Sequence, residues 1–538
     1  MAKKLIQRKK GMVTKMYLKK GNGKERAARY EYNIFTGQKK PWKTGEGENI
    51  SLYNISSDRY PQLSPRKKYA VNQTSHLLTS IGSAADELYY TTSNGFYYSG
   101  TLFGSVSFTQ KHFLNFQKMI LIFPDKKYFD TDNNRLGNLV IGTGAVSILV
   151  SSTKRLSENP GLNTLTGIDG VKLSDYFESG DGVYISGGSI IDGSYTVRGT
   201  DNESGALYFD DGQFGEGDGF SADVTLSNGV PDGGAMCVCQ NRVWTYSGNR
   251  VFASAPGDPF IWRRYDGDEN SCFFAESGEF ESFTYCTEME GYPVFFTPSG
   301  IYKVYGDCPA NYCLSRCATY GGMSAFEHYS AAYVGSDLMY LSDGKVMRFS
   351  GGKPEADESF PGIGANGGVG GSDGERYYLS AQISSGQNVL YVYDMYSGKW
   401  QQYSELGFQG FARCGNAFYG ITESDIVILK TSDFFPSGFT EEDEVSSAAE
   451  FSDVYFDSPV YPYRLGAVLE TGADGDVDFS LMYDGNGEWY ESGEVGGNFK
   501  GMKLFDFVPV RCDSWRLKVQ GSGNYAIKKI WVDYTLGQ

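Results

Sequence analysis

The chain offers few residues for acid–base or nucleophilic chemistry. Its 538 residues include three histidines, His76, His112 and His328. None stands in a nucleophile motif, and no G-x-S-x-G elbow, P-loop or H-E-x-x-H pair occurs. Carboxylates are plentiful, 65 Asp and Glu together, but a pair for glycoside hydrolysis is defined by its separation in space, which sequence spacing does not give. Four of the nine cysteines, Cys237, Cys239, Cys272 and Cys414, stand singly in apolar runs, as reduced thiols serving as small hydrophobes do. Cys308, Cys313 and Cys317 with nearby His328 must be weighed as a metal site. Their C-x4-C-x3-C spacing lacks the tight ligand pairs of zinc knuckles. No catalytic residue, metal ligand or cofactor is expected.

Hard oxygen donors cluster in "DTDNNRLGN" (130–138), "DDGQFGEGDGFSAD" (210–223) and "GADGDVD" (472–478). None fits a twelve-residue calcium loop with its closing Glu, and Asp with Gly is ordinary turn chemistry. Exposed aromatics that stack on sugars are a further option, with Trp400, Trp489 and Tyr490 as candidates. Packing between sheets explains most aromatics equally well.

The elements that must position these residues are strands. Aromatic residues make up 15% of the chain and glycine contributes 69 residues, a mixture that favours strands joined by tight turns. No window is apolar enough for a membrane span, and "MAKKLIQRKKGMVTKMYLKK" lacks the apolar core of a signal peptide. These features predict synthesis without Sec export and no membrane insertion. The charge is lopsided: residues 1–45 hold 14 Lys/Arg against two acids, and the rest holds 34 against 63. An acidic body argues against gripping a nucleic-acid backbone. The basic arm suits either nucleic acid or an acidic protein partner, and Tyr17, Tyr30, Tyr32 and Phe35, as strand or anchor residues, put the protein-docking reading ahead.

Seven hairpins recur along the chain. "ELYYTTSNGFYYSG" (87–100) is an aromatic strand, an Asn-Gly turn and a second aromatic strand. The same shape returns in "MILIFPDKKYFDTD", "RVWTYSGNRVFAS", "PVFFTPSGIYKVYG", "LMYLSDGKVMRFSGG", "LSAQISSGQNVLYVYD" and "AFYGITESDIVILKT". From Gly248 onward their turns are about 40–50 residues apart, the period of a four-stranded propeller blade. Each hairpin is then half a blade. The expected fold is all-β: a β-propeller of six to eight blades, carrying an inserted small β-barrel or sandwich and a C-terminal β-sandwich. The expected division is a basic docking arm at 1–50, propeller at 51–139, the insertion at 140–235, propeller again at 236–432, and the sandwich at 433–538. Propeller sialidases carry S-x-D-x-G-x-x-W boxes; Ser342-Asp343-Gly344 begins one but lacks its spacing and its Trp.

"NRVWTYSGNRVFASAPGDPFIW" (241–262) is the densest stretch. Pro256 and Pro259 fix φ and remove donors, so the chain leaves the hairpin through a set turn. Asp258 is expected to cap that turn, and Phe260 and Trp262 to pack on an adjacent blade or subunit.

Three stretches together resemble the propeller-containing tail proteins of bacteriophages, the nozzle or hub proteins often labelled tail stabilisation proteins. They are "NISSDRYPQLSPR" (54–66), the stretch 241–262, and "GYPVFFTPSGIYKVYG" (291–306). The "GDGVYISGGSIIDGSYTV" and "RCDSWRLKVQGSG" segments are similar to that group as well, so the resemblance covers roughly 50–538. Tyr60, Pro61, Arg66, Trp244, Asp258, Pro259 and Trp262 are its structural or interface candidates. The resemblance implies a non-enzymatic virion protein, assembled in the host bacterial cytoplasm into a homo-oligomeric, often hexameric, ring. That ring would meet portal and adaptor proteins and tail fibre or tip proteins, and conduct genomic DNA without sequence-specific binding. An acidic wall that repels the duplex suits such a conduit. The alternative from the residues alone is a receptor- or glycan-binding propeller.

Overall fold

The computed structural model describes residues 27–152, 163–188, 191–210, 214, 220–265, 267–362, 365, 367–383, 386–432 and 434–537. Tyr17 and the rest of the basic arm up to residue 26, and most of the acidic stretch 210–223, lie outside them. The elements are strands with four short 3-10 turns. No helix among the described residues is long and apolar enough to cross a membrane.

The chain is an all-β β-propeller. Four-stranded meanders lie at 78–104, 112–138, 237–276, 285–318, 332–356 and 368–402, and a further one at 410–431 is completed by Ala70–Gln73. That makes seven, within the six to eight expected. Each hairpin read from the sequence occupies the two middle strands of one meander. Middle strands are covered on both faces and are almost continuously apolar: the first five residues of Arg242–Ser247 are buried. Outer strands alternate, as in Phe273–Glu276, half-buried and exposed by turns. This contrast is why the hairpins stand out in the sequence and their flanking strands do not.

The chain divides into two compact units. The unit of 79–328 with 349–355 holds the first four blades and the insertion. The insertion is one seven-stranded antiparallel sheet spanning 142–227. Its inward residues, among them Ile148, Leu165, Ile185, Leu207, Phe209 and Leu226, converge on a single core.

The unit of 1–78, 329–348 and 356–538 holds the later blades and the C-terminal sandwich. One sandwich sheet orders Phe499–Asp506, Val454–Thr471, Tyr525–Leu536 and Ala27–Glu31. The other orders Tyr490–Gly496, Asp476–Tyr483, Cys512–Ser522, Ser446–Phe451 and Asn49–Tyr53. Their facing side chains share one core, including Leu465, Phe479, Trp515, Ile527 and Val532.

Two expectations about the first 139 residues are corrected here. The described part of the presumed docking arm is built into this chain's own sandwich. Ala27–Glu31 pairs with Tyr525–Leu536, and Tyr30, Tyr32 and Phe35 are buried in its core. Those rings are anchors, but internal ones: their apolar area is removed from water within the chain. Similarly, 51–77 is not simply the first propeller segment. Asn49–Tyr53 joins the sandwich, and Ala70–Gln73 pairs with Asp425–Thr431 in the last blade.

Candidate functional site

The stretch 54–66 forms the joint between the later blades and the sandwich. Asn54 has a left-handed backbone (φ 54°), a conformation that asparagine tolerates. Its N–H donates to the Gln402 carbonyl at 2.9 Å, and its side-chain amide donates to the Ser446 carbonyl at 2.9 Å. A 3-10 turn follows at Ser57–Arg59, where the Ser56 hydroxyl accepts the Asp58 N–H. The Ser57 hydroxyl donates to Asp394, and its N–H donates to Gln401 Oε1 at 3.1 Å. Leu63 exchanges backbone hydrogen bonds with Ile527 at 3.0 and 2.8 Å.

Two buried guanidinium groups organise this joint. Arg66 donates through Nε to Asn54 Oδ1 at 2.9 Å and through its fork to both oxygens of Glu442. Burial works against the Arg66 cation, but Tyr69 and Glu442 raise its pKa overall. Arg376 donates to Asp58 at 2.6 Å and to Asp394 at 3.1 Å. Asp394 is also opposed by burial, yet the Ser57 hydroxyl, the Ser397 N–H and Arg376 hold its carboxyl below the usual range. These hydrogen bonds offset the cost of burying the charges. Tyr60 packs edge-on against Phe35 at 5.6 Å, with Pro61 following it across a cis peptide bond.

The other candidates lie in the 79–328 unit. Trp244 is fully buried, donates Nε1 to the Cys239 carbonyl at 3.1 Å, and packs against Phe273, Phe295 and Tyr312. Asp258 accepts the Phe260 N–H at 2.8 Å, which makes it a turn cap. Pro259 supplies the carbonyl that takes the Trp262 indole N–H at 2.7 Å. Trp262 is buried among Phe116, Phe123, Leu139, Val243 and Phe252, so it packs on the preceding blade within one chain. Phe260 meets Tyr128 of that blade edge-on at 5.1 Å.

The structure does not gather the cysteine group with His328. The Cys317 thiol is directed at the Ile301 carbonyl, 3.4 Å away, whereas the His328 ring lies 5.0 Å from His112. Burial depresses both imidazoles, His112 to about 3 with help from His328, and His328 to about 4. Sequence reasoning missed this pair because 216 residues separate its members. Among the described residues, one acidic group has donor atoms close enough to share an ion: Asp476, Asp478 and Glu494. Asp478 is the last residue of the "GADGDVD" stretch. Burial and the neighbouring carboxylates push its pKa up.

Beside the 54–66 joint lies a cleft of about 420 Å3, bounded by the Arg66-Lys67-Lys68 run, the Leu429–Thr431 end of a blade strand, and the Asp474 and Asn524 turns of the sandwich. It holds cations, carboxylates and apolar surface together. Hydrogen bonding, ion pairing and stacking are all open to a small guest there.

No protein family description and no curated protein matches this chain. Among solved structures it is similar to PorZ, a surface component of the type-IX secretion system of Porphyromonas gingivalis (TM-score 0.33, 11% identity, 81% of this chain and 48% of that one). It is also similar to the endosialidase of phage phi92 (0.26, 10%, 73% and 74%) and to the propeller domain of Myceliophteria thermophila Cps50 (0.22, 9%, 47% and 97%). The chain spans about half the length of PorZ. At these TM-scores the likenesses say nothing about activity, and the propeller assignment rests on the strand pairing of the chain itself.

Proposed function

We propose that the chain is a structural protein of a bacteriophage tail, a nozzle or hub that assembles as a ring below the portal and adaptor and conducts DNA. The observation that carries the reading is where the resembling stretches fall. Stretch 54–66 is used up in the joint between blades and sandwich, and stretch 241–262 in the contact between two blades. Residues spent on buried ion pairs, turn caps and indole packing make a stiff scaffold and leave little for chemistry, so the proposal assigns no catalysis. The excess of acids beyond residue 45 also supports it, since a wall of that sign repels a passing duplex.

Negative-stain images of the purified full chain, with light scattering for mass, test the reading. Rings with a central channel are expected. A protein that stays monomeric at micromolar concentration and in the presence of an adaptor ring would overturn it in favour of a receptor-binding propeller.

A further inference from the structure

The cleft beside Arg66 has an unusual balance of charge for so acidic a chain. Its lining includes Arg59, Arg66, Lys67, Lys68 and Lys430 against Asp58, Glu441 and Asp474, in a protein of net charge −17. Half of these are already engaged in ion pairs. Arg66 is held by Glu442, Lys430 by Asp373 and Glu375, Arg59 by Glu470, and Asp58 by Arg376.

What remains, among the described residues, is a set of lightly engaged groups. The Lys67 ammonium makes no ion pair, and Lys68 reaches only the Asp443 carbonyl at 2.8 Å. The Glu441 and Asp474 carboxylates make no side-chain hydrogen bond. Ser64 is 3% exposed and lines the cleft, while its hydroxyl oxygen is closed to solvent and has no hydrogen-bond partner among the described residues. Leu429 and Phe435 add apolar surface to the same walls.

We propose that this cleft binds an acidic saccharide unit, a sugar ring bearing a carboxylate. The carboxylate would lie on Lys67 and Lys68, in charge-assisted hydrogen bonds. The ring hydroxyls would donate to Glu441 and Asp474, and its C–H face would lie against Phe435 and Leu429. Other chemistries fit less well. A compact phosphate brings more negative charge against Glu441 and Asp474, fewer hydroxyl donors than a sugar ring, and no apolar face for Phe435 and Leu429. A neutral sugar leaves the lysines without a counter-ion. The volume suits one or two rings. The inference stands apart from ring assembly, because the cleft belongs to one unit of one chain.

The test uses the full-length protein and isothermal titration with glucuronate, glucose and inorganic phosphate. Glucuronate is expected to bind, and glucose and phosphate to bind about tenfold more weakly or less. The K67A/K68A variant removes two side chains outside the core, so its melting temperature should hold while its glucuronate affinity falls about tenfold. Absence of glucuronate binding, equal binding by the lysine variant, or phosphate binding as well as glucuronate would each overturn the proposal.

Discussion

Arg66 donates to both carboxylate oxygens of Glu442, at 2.7 and 3.0 Å, across 376 positions of sequence. The same guanidinium lies 3.6 Å over the Tyr69 ring, and the Glu442 carboxylate also accepts the Tyr69 N–H at 2.9 Å. One cation therefore fixes a short N-terminal segment against the acidic linker that leads into the sandwich.

Arg66→Ala should destabilise the later-blade unit toward the lower end of the about 3–5 kcal/mol seen when one partner of a buried pair is removed. The lower end applies because Glu442 retains some solvent contact. Arg66→Lys should recover little, since an ammonium cannot span Asn54 and both Glu442 oxygens at once. Urea denaturation of the two variants, with E442A and the double variant to close a cycle, reads the coupling. Additive single effects would contradict the pairing.

Trp262→Ala should cost about 3–5 kcal/mol, because it opens a cavity among Phe116, Phe123 and Phe252. Asp258→Ala removes one hydrogen bond to the Phe260 N–H and should cost about 1 kcal/mol. The contrast between the two, read as thermal midpoints, distinguishes core packing from turn capping. An unchanged midpoint for Trp262→Ala, with assembly lost, would move that indole to a subunit interface.

These residues show what was legible in the sequence and what was not. The aromatic hairpins announced the blades because their strands are covered on both faces and leave a continuous apolar signature. Ala70–Gln73 gave no such signal: it is four residues long, and its membership in the last blade depends on pairing with Asp425–Thr431. Ala27–Glu31 was masked by charge. Its Arg29 reads as part of a basic arm but is paired with Asp533 at 2.6 Å. The cleft brings together 58–68, 429–445 and 523–525, and no spacing rule joins such segments. Periodicity reports local burial, whereas sites made by distant segments need the fold.

Truncation tests the reassigned arm. Removing residues 1–26 leaves Ala27–Glu31 in place and sets the reference midpoint for the sandwich. Removing 1–35 takes away Tyr30, Tyr32, Ile34 and Phe35, all buried in the sandwich core. The summed loss should be about 5 kcal/mol or more, comparable with the whole stability of an ordinary domain. Limited proteolysis and circular dichroism of the two truncations read the difference, and equal stability would refute the internal-anchor assignment.

The His112–His328 pair predicts the acid limit of the blade unit that contains it. Both folded-state values are depressed, to about 3 and about 4, from an ordinary value of 6.5. Below pH 6.5 the unfolded chain therefore takes up protons that the folded chain refuses. The stability is fully present above pH 6.5 and declines as pH falls toward 4, each ring contributing a slope of up to about 1.4 kcal/mol per pH unit. Carboxylates held low by cations, such as Asp394, add their own loss only further down, near and below their usual range. Carboxylates raised by burial, such as Asp181 in the same unit, act in the opposite sense, so the histidine contribution is read between pH 6.5 and 4.5 as the difference between two proteins. Urea midpoints across that interval should slope downward in the native protein, and the slope should flatten in the H112Q/H328Q variant. An equal slope in both proteins would show that the two rings titrate normally and that their burial does not hold them neutral.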